Sequence, residues 1–292
     1  RSRVDPDRAQ AAHRIGRLNV RRFSQVDVFG PQTSGFGNPL AVVLDGDGLT
    51  DAQMAGFAAW TNLSETAFLL PPTTPEADYR VRIFTIDNEL PFAGHPTLGS
   101  AFTWLSSGGV PRRPGEVVQE CGVGLVRLRT DAGVVAFAAP PRRRTGPLDA
   151  DTVAHIEAVI GVPRDQWVAH EWGDNGPPWM MVELTDAEAV RNVVFNHTLL
   201  GPLEHLGLVG RDSGRFAYEV RGQVGAWEDP VTGSLNASVA QWLRARGVVP
   251  AEYLATQGSQ LGRNGEIFVH DDGSQIWIGG RVRPIISGTV DL

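Results

Sequence analysis

The chain has 292 residues, a net charge of −7 and ordinary apolar content, enough for two medium cores and without a basic stripe for nucleic acid or anionic membrane. It contains one cysteine, Cys121, and no lysine, all 26 Lys/Arg cations being arginine. A Schiff-base or P-loop lysine, a disulfide framework, a Cys-zinc site and a two-thiol epimerase are thereby excluded.

Residues 1–22 carry seven arginines and no apolar h-region, so they read as a disordered leader or tag remnant, with the fold starting near Phe23. Phe23–Phe29 alternates as a strand and Ala41–Leu44 reads as a buried one. Thr50-Asp-Ala-Gln53 is a capping box that opens a helix ending near Asn62. Strands follow at Ala67–Leu70 and Tyr79–Thr85. A helix over Pro96–Ser106 is apolar nearly all round, as expected of a buried one, with His95 as its N-cap. Strands Gly124–Leu128 and Val134–Ala138 come next, then the Pro140–Pro147 linker and a surface helix at Asp151–Ile160. Trp179–Leu184 is a strand, Ser234–Arg246 a second apolar helix, and Ile267–His270, Ile276–Ile278 and Val282–Ile286 complete the strands.

Two stretches 139 residues apart repeat each other: Tyr79–Gly94 and Tyr218–Gly233 share Tyr79/Tyr218, Val81/Val220, Arg82/Arg221, Glu89/Glu228, Pro91/Pro230 and Gly94/Gly233. Each copy reads strand, turn, glycine-led helix start. The expected fold is α+β: two pseudo-symmetric lobes, each a curled, mostly antiparallel sheet or barrel around a central helix. Residues 23–139 form the first lobe, completed by a C-terminal strand at 280–292, and residues 140–279 form the second. A cleft between two helix starts suits an anion.

Four acids stand beside such signals. Glu65, at the mouth of an apolar strand, is either a solvated strand-end residue or a carboxyl at the edge of a dry pocket. Glu89 and Glu228 are equivalent and suit pairing with Arg82 and Arg221. Asp229 has Leu90 as its counterpart and breaks the symmetry. His95 and Ser234 follow the two repeat glycines, as N-caps or as part of a carboxylate cradle. The remaining histidines show no metal-ligand spacing, and no dinucleotide fingerprint or nucleophile elbow appears.

The strings Gly37-Asn-Pro-Leu-Ala-Val42, Asn62-Leu-Ser-Glu-Thr66, Asn88-Glu-Leu-Pro-Phe-Ala-Gly-His-Pro-Thr-Leu-Gly99, Asp174-Asn-Gly-Pro177, Glu228-Asp-Pro-Val-Thr-Gly-Ser234, Gln257-Gly and Gly262-Arg263 resemble the PhzF family of phenazine-biosynthesis isomerases, within the diaminopimelate epimerase-like fold. The likeness spans Val26 to Leu292. It implies Glu65 as general acid/base, with His95 and Asp229 beside it as catalytic residues. It places Ser64, Gly94, Gly233 and Ser234 against the substrate. It implies a cytoplasmic, cofactor-free and metal-free homodimer moving a proton between conjugated carbons of a small unsaturated carboxylate, as in trans-2,3-dihydro-3-hydroxyanthranilate isomerisation. The cysteine places of the epimerase relatives look like Ala93 and Pro230. Arg215-Phe-Ala-Tyr-Glu219 departs from the family's Arg-x-Phe-Ala-Pro pattern, which opens a rival diene substrate such as an alkyl-proline antibiotic precursor. A two-base epimerase using Glu65 and Asp229, and a non-catalytic ligand-binding or scaffold member, are the other rivals.

Overall fold

The computed structural model describes residues 20–33, 35–201 and 203–292. The expected leader lies outside the described residues up to position 19, but its last three residues do not belong to it. Strand β1 runs Val20–Val28, and the largely buried Arg21 donates to the carbonyls of Asp45 and Asp47.

Sixteen strands form one continuous, mostly antiparallel sheet, with five α-helices among the described residues. In chain order these are β2 (Asn38–Val43), α1 (Asp51–Thr61), β3 (Thr66–Leu70), β4 (Tyr79–Phe84), β5 (Glu89–Leu90), α2 (Gly94–Ser106), β6 (Glu116–Cys121), β7 (Gly124–Asp131) and β8 (Val134–Ala138). Then follow α3 (Ala150–Ile160), β9 (Trp167–Asp174), β10 (Pro178–Leu184), α4 (Ala187–Asn192), β11 (His205–Arg211), β12 (Tyr218–Val224), β13 (Trp227–Asp229), α5 (Gly233–Ala245), β14 (Glu252–Gln257), β15 (Gly265–Asp271) and β16 (Ile276–Asp291).

The class is therefore mixed α/β, and the sheet is one rather than two. The reason is β16. The two strands expected near 276–278 and 282–286 are a single ladder member. It pairs β15 through Ile276–Gly279 and β8 through Trp277–Arg281, then β1 out to Asp291. Its pairing with β1 shifts register beside Pro284, where a missing N–H is tolerated at the bulge. That pairing closes β1, β2, β3, β4, β6, β7, β8 and β16 into a barrel. The remaining path, from β16 through β15, β14, β12, β11 and β10 to β9, curls over α5.

Helices α2 and α5 fill the two curls. Nine of the thirteen residues of each are buried. Both helices are apolar on most sides, as the sequence reading expects, and bury a few polar residues too, among them Thr97, Ser100, Asn236 and Ser238. The halves match in detail. Parallel pairs β2–β3 and β4–β6 recur as β10–β11 and β12–β14. Phe84 faces Glu89 as Gln223 faces Glu228, so both glutamates reach the arginine on the neighbouring strand.

Those two ion pairs share chemistry and differ in burial. Arg82 binds Glu89 through Nε at 2.7 Å and Nη2 at 2.6 Å, but the side chains are 21% and 40% exposed. Arg221 binds Glu228 at 2.9 and 2.8 Å with only 5% and 11% exposed, and its Nη1 also donates to the carbonyls of Val190 and Val193. Removing one partner of a buried pair strands the other charge, whereas an exposed partner is rehydrated. Glu228→Ala should cost about 3–5 kcal/mol in urea denaturation, and Glu89→Ala less than about 1 kcal/mol.

Candidate active site

The first turns of α2 and α5 meet at two glycines. A Cβ built on Gly94 would lie 3.1 Å from Gly233 Cα and 3.1 Å from the Phe137 ring, and the reverse construction gives the same clash. The helix starts can touch because neither position carries a side chain. Their N-caps are Ala93 and Thr232, and neither caps its helix through a side-chain hydrogen bond. His95 and Ser234 are thus inside the first turns rather than N-caps, correcting one of the two sequence readings. The counterpart of Ala93 is likewise Thr232, not Pro230. The uncapped first-turn N–H groups of both helices leave two positive helix ends converging on one place.

Glu65 reaches this place from a short loop. Asn62 takes a left-handed conformation (φ 54°) that ends α1 and turns the chain, which Asn tolerates better than other residues bearing a side chain. The hydroxyls of Thr61 and Thr66 meet at 2.9 Å and close the loop. Glu65 Oε2 then lies 3.5 Å from His95 Nε2, with the side chains 16% and 5% exposed. Neither atom has a hydrogen-bond partner among the described residues. Burial pushes the Glu65 carboxyl up to about 7, opposed by a hydrogen bond from the exposed Ser64. Burial pushes the His95 imidazole down to about 4, so the ring is neutral near pH 7. The Asp229 charge and the Pro39 carbonyl oppose that shift. With the ring proton on Nδ1, the Nε2 lone pair faces the gap, where it has no partner among the described residues.

Asp229 enters from the second half. Its carboxyl is raised to about 6 by burial and then by the Glu65 charge, with His95, Thr232 and Asn38 pulling it down. Asn38 Nδ2 donates to Oδ1 at 2.9 Å and Thr232 Oγ1 donates to Oδ2 at 2.7 Å. Gln257 secures this turn by donating to the Asp229 carbonyl and Thr232 Oγ1, both at 2.9 Å, while accepting from the Thr232 N–H at 3.0 Å. Ser234 Oγ accepts from Trp179 Nε1 at 3.1 Å, which leaves its own hydrogen to donate. Asn175 Nδ2 holds the Ser234 carbonyl at 2.8 Å.

The structure therefore brings Glu65, His95, Asp229, Gly94, Gly233 and Ser234 together, with Ser64 at the rim. Sequence reading assigned no role to Asn38, Thr232, Gln257, Asn175 or Trp179. Four of these stood inside strings already noted, Gly37-Asn38, Asp174-Asn175, the Thr232 of Glu228–Ser234, and Gln257-Gly258, so the signal was present without a role. By strand register, Thr66 and Leu206 face equivalent partners, Phe84 and Gln223. The place of Glu65 in the second half is thus held by His205, whose ring packs edge-on against Trp179 at 5.1 Å. Among the described residues no group of three or more His, Cys, Asp or Glu is disposed to hold a metal ion. Cys121 is half-buried and its thiol is raised by burial, which suppresses reactivity.

The sequence profile of the PhzC-PhzF family, "phenazine biosynthesis-like protein", matches residues 26–283. The chain belongs to the PhzC-PhzF family. It is 33% identical over 295 residues to antisense-enhancing sequence 1 of Schizosaccharomyces pombe, covering 93% of this chain and 99% of that protein. It is 30% identical over 257 residues to trans-2,3-dihydro-3-hydroxyanthranilate isomerase of Pseudomonas fluorescens, covering 81% of this chain and 86% of that protein. A PhzF-family crystal structure from Enterococcus faecalis superposes with a TM-score of 0.78 at 22% identity, covering 94% of this chain and 100% of that one. A hydroxyproline epimerase of Agrobacterium vitis shares the fold more distantly, with a TM-score of 0.60 at 15% identity over 94% of this chain and 93% of that one. This PhzF chain is an isomerase of the family. No helix among its described residues is long and apolar enough to cross a membrane.

The raised Glu65 has a consequence for stability. The folded protein holds this proton up to about pH 7, while the unfolded chain releases it near its ordinary value of 4.5. Stability is therefore lost as pH rises between those values, by up to about 3 kcal/mol at full ionisation. Glu65→Gln should match wild type in urea at pH 4 and exceed it by about 1–3 kcal/mol at pH 8. Equal midpoints at both pH values would mean an ordinary, hydrated carboxylate.

Proposed function

We propose that this PhzF isomerase moves a proton between conjugated carbons of a small unsaturated amino or hydroxy acid, with Glu65 as its single shuttle. Two pseudo-symmetric lobes, 20–139 with the C-terminal strand and 140–279, form the two sides of the site. A small-molecule carboxylate substrate lies between them. One observation carries the reading. Glu65 Oε2 is buried beside His95 without a partner among the described residues, whereas both oxygens of Asp229 are already engaged.

The substrate carboxylate rests on the helix starts at Gly94 and Gly233, where it neutralises two positive helix ends, and accepts the Ser234 hydroxyl. Ionised Glu65 removes a proton from one sp³ carbon. The electron pair left behind delocalises over the conjugated system. Glu65, now protonated, returns the proton to a different carbon of that system, and the double bond shifts. Nothing is oxidised or reduced. A carboxyl near 7 is half ionised at neutral pH, so it serves both steps. The His95 Nε2 lone pair accepts from a substrate hydroxyl or amine. Asp229, held as an acceptor beside them, favours positive charge on that amine.

The engaged oxygens of Asp229 weigh against a two-base epimerase, which needs a second free acceptor. The likeness to dihydro-hydroxyanthranilate isomerases supports that compound as the first substrate to try. In heavy water, trans-2,3-dihydro-3-hydroxyanthranilate should yield product labelled at the newly protonated carbon. Glu65→Gln should lower turnover by at least ~10²–10⁴-fold, the usual worth of a general acid–base, while still binding a product analogue. A variant as active as wild type would remove Glu65 from the mechanism. Label entering a stereocentre without bond migration would favour the epimerase. Turnover of an alkyl-proline diene in place of the anthranilate would move the substrate and keep the shuttle.

A further inference from the structure

Asn38 is fully buried where β2 begins. It has no part in the proton transfer described above. Its Nδ2 donates to Asp229 Oδ1 at 2.9 Å and to the Val231 carbonyl at 3.0 Å, so both amide hydrogens go to the second half of the chain. The same nitrogen stands 3.5 Å from His95 Nδ1. Turning the amide over would set its oxygen against a carboxylate and a carbonyl, so its partners fix its orientation.

The other groups around Asp229 act in the same sense. Thr232 donates to Oδ2, and Gln257 donates to the Thr232 hydroxyl, which leaves that hydroxyl's own hydrogen directed at Asp229. Among the described residues each hydrogen bond to this carboxyl is a donation to it. Opposed to ionisation are burial and the neighbouring Glu65 charge, while a positively charged His95 would favour it. Hydrogen bonds to an ionised acceptor are the strong kind, and two of them can offset a desolvated carboxylate.

We infer that Asn38 is a positioning residue: reaching across the seam, it holds Asp229 as an oriented carboxylate while its amide nitrogen abuts the His95 ring. Asn38 touches no reacting atom and acts through Asp229. A mere packing role would show in stability alone, whereas this role shows in the proton affinity of Asp229. The inference rests on the proposed function only for its catalytic use, because the titration needs no substrate.

The test is ¹³C NMR of the full chain labelled at aspartate carboxyl carbons, without ligand, with Asp229 assigned by the signal lost in Asp229→Asn. In Asn38→Ala the Asp229 midpoint should rise by about one pH unit, a tenfold gain in proton affinity. Asn38→Asp keeps the volume and covers the case in which the alanine variant misfolds. There two adjoining carboxyls share a proton, and the higher midpoint should exceed that of wild-type Asp229. A folded variant of either kind with its highest midpoint at the wild-type value overturns the inference, reducing Asn38 to a pin for the Val231 carbonyl. If the titration moves as stated while Glu65→Gln keeps full turnover, the isomerase mechanism falls and the role of Asn38 stands.

Discussion

Two helices that point their amino ends at each other carry about half a positive charge apiece at the meeting point, and they repel. Here they meet through Gly94 and Gly233, with the buried Phe137 ring against both and no room for a side chain. Such an arrangement needs negative charge nearby. Asp229 supplies part of it, and a substrate carboxylate fits the same requirement. Glu65 and His95 are buried beside this meeting point. Burial displaces both groups, the carboxyl upward and the imidazole downward.

Sequence symmetry and structural symmetry part company where chemistry begins. Tyrosine, arginine and glutamate repeat with their strand pairings intact, and these are scaffold residues. Leu90 against Asp229, His95 against Ser234 and Glu65 against His205 are the places where the halves differ. Two copies of one frame thus present different groups to a common centre. The first half contributes Glu65 and His95 to it, and the second contributes Asp229 and Ser234.

What sequence could and could not show follows from the range of the interactions. The glycine-led helix starts, the Arg–Glu pairs and Glu65 are legible because each lies within one local string. The hold on Asp229 is not, since Asn38 lies 191 residues away and meets it only when the sheet closes. Strand β11 was missed because it carries Gly207 and Gly210, which read as turn residues. In the fold they are needed for close approach, Gly207 beneath Leu235 of α5 and Gly210 beneath the Asp186 carbonyl. Strand β6 was missed because Gln119 breaks its apolar face. That glutamine is buried, accepting from the Tyr79 hydroxyl at 2.8 Å and donating to Thr97 at 3.0 Å. The long β16 was read as two strands because Gly279 and Gly280 interrupt it.

Burial holds the Glu65 proton in place into the neutral range. Isotope-edited infrared spectroscopy of the ligand-free protein, comparing the carboxylic C=O stretch in wild type and Glu65→Gln across pH, reads this directly. A difference band that fades with a midpoint near pH 7 is the predicted result. A band gone by pH 5, as for a carboxyl in water, would contradict it.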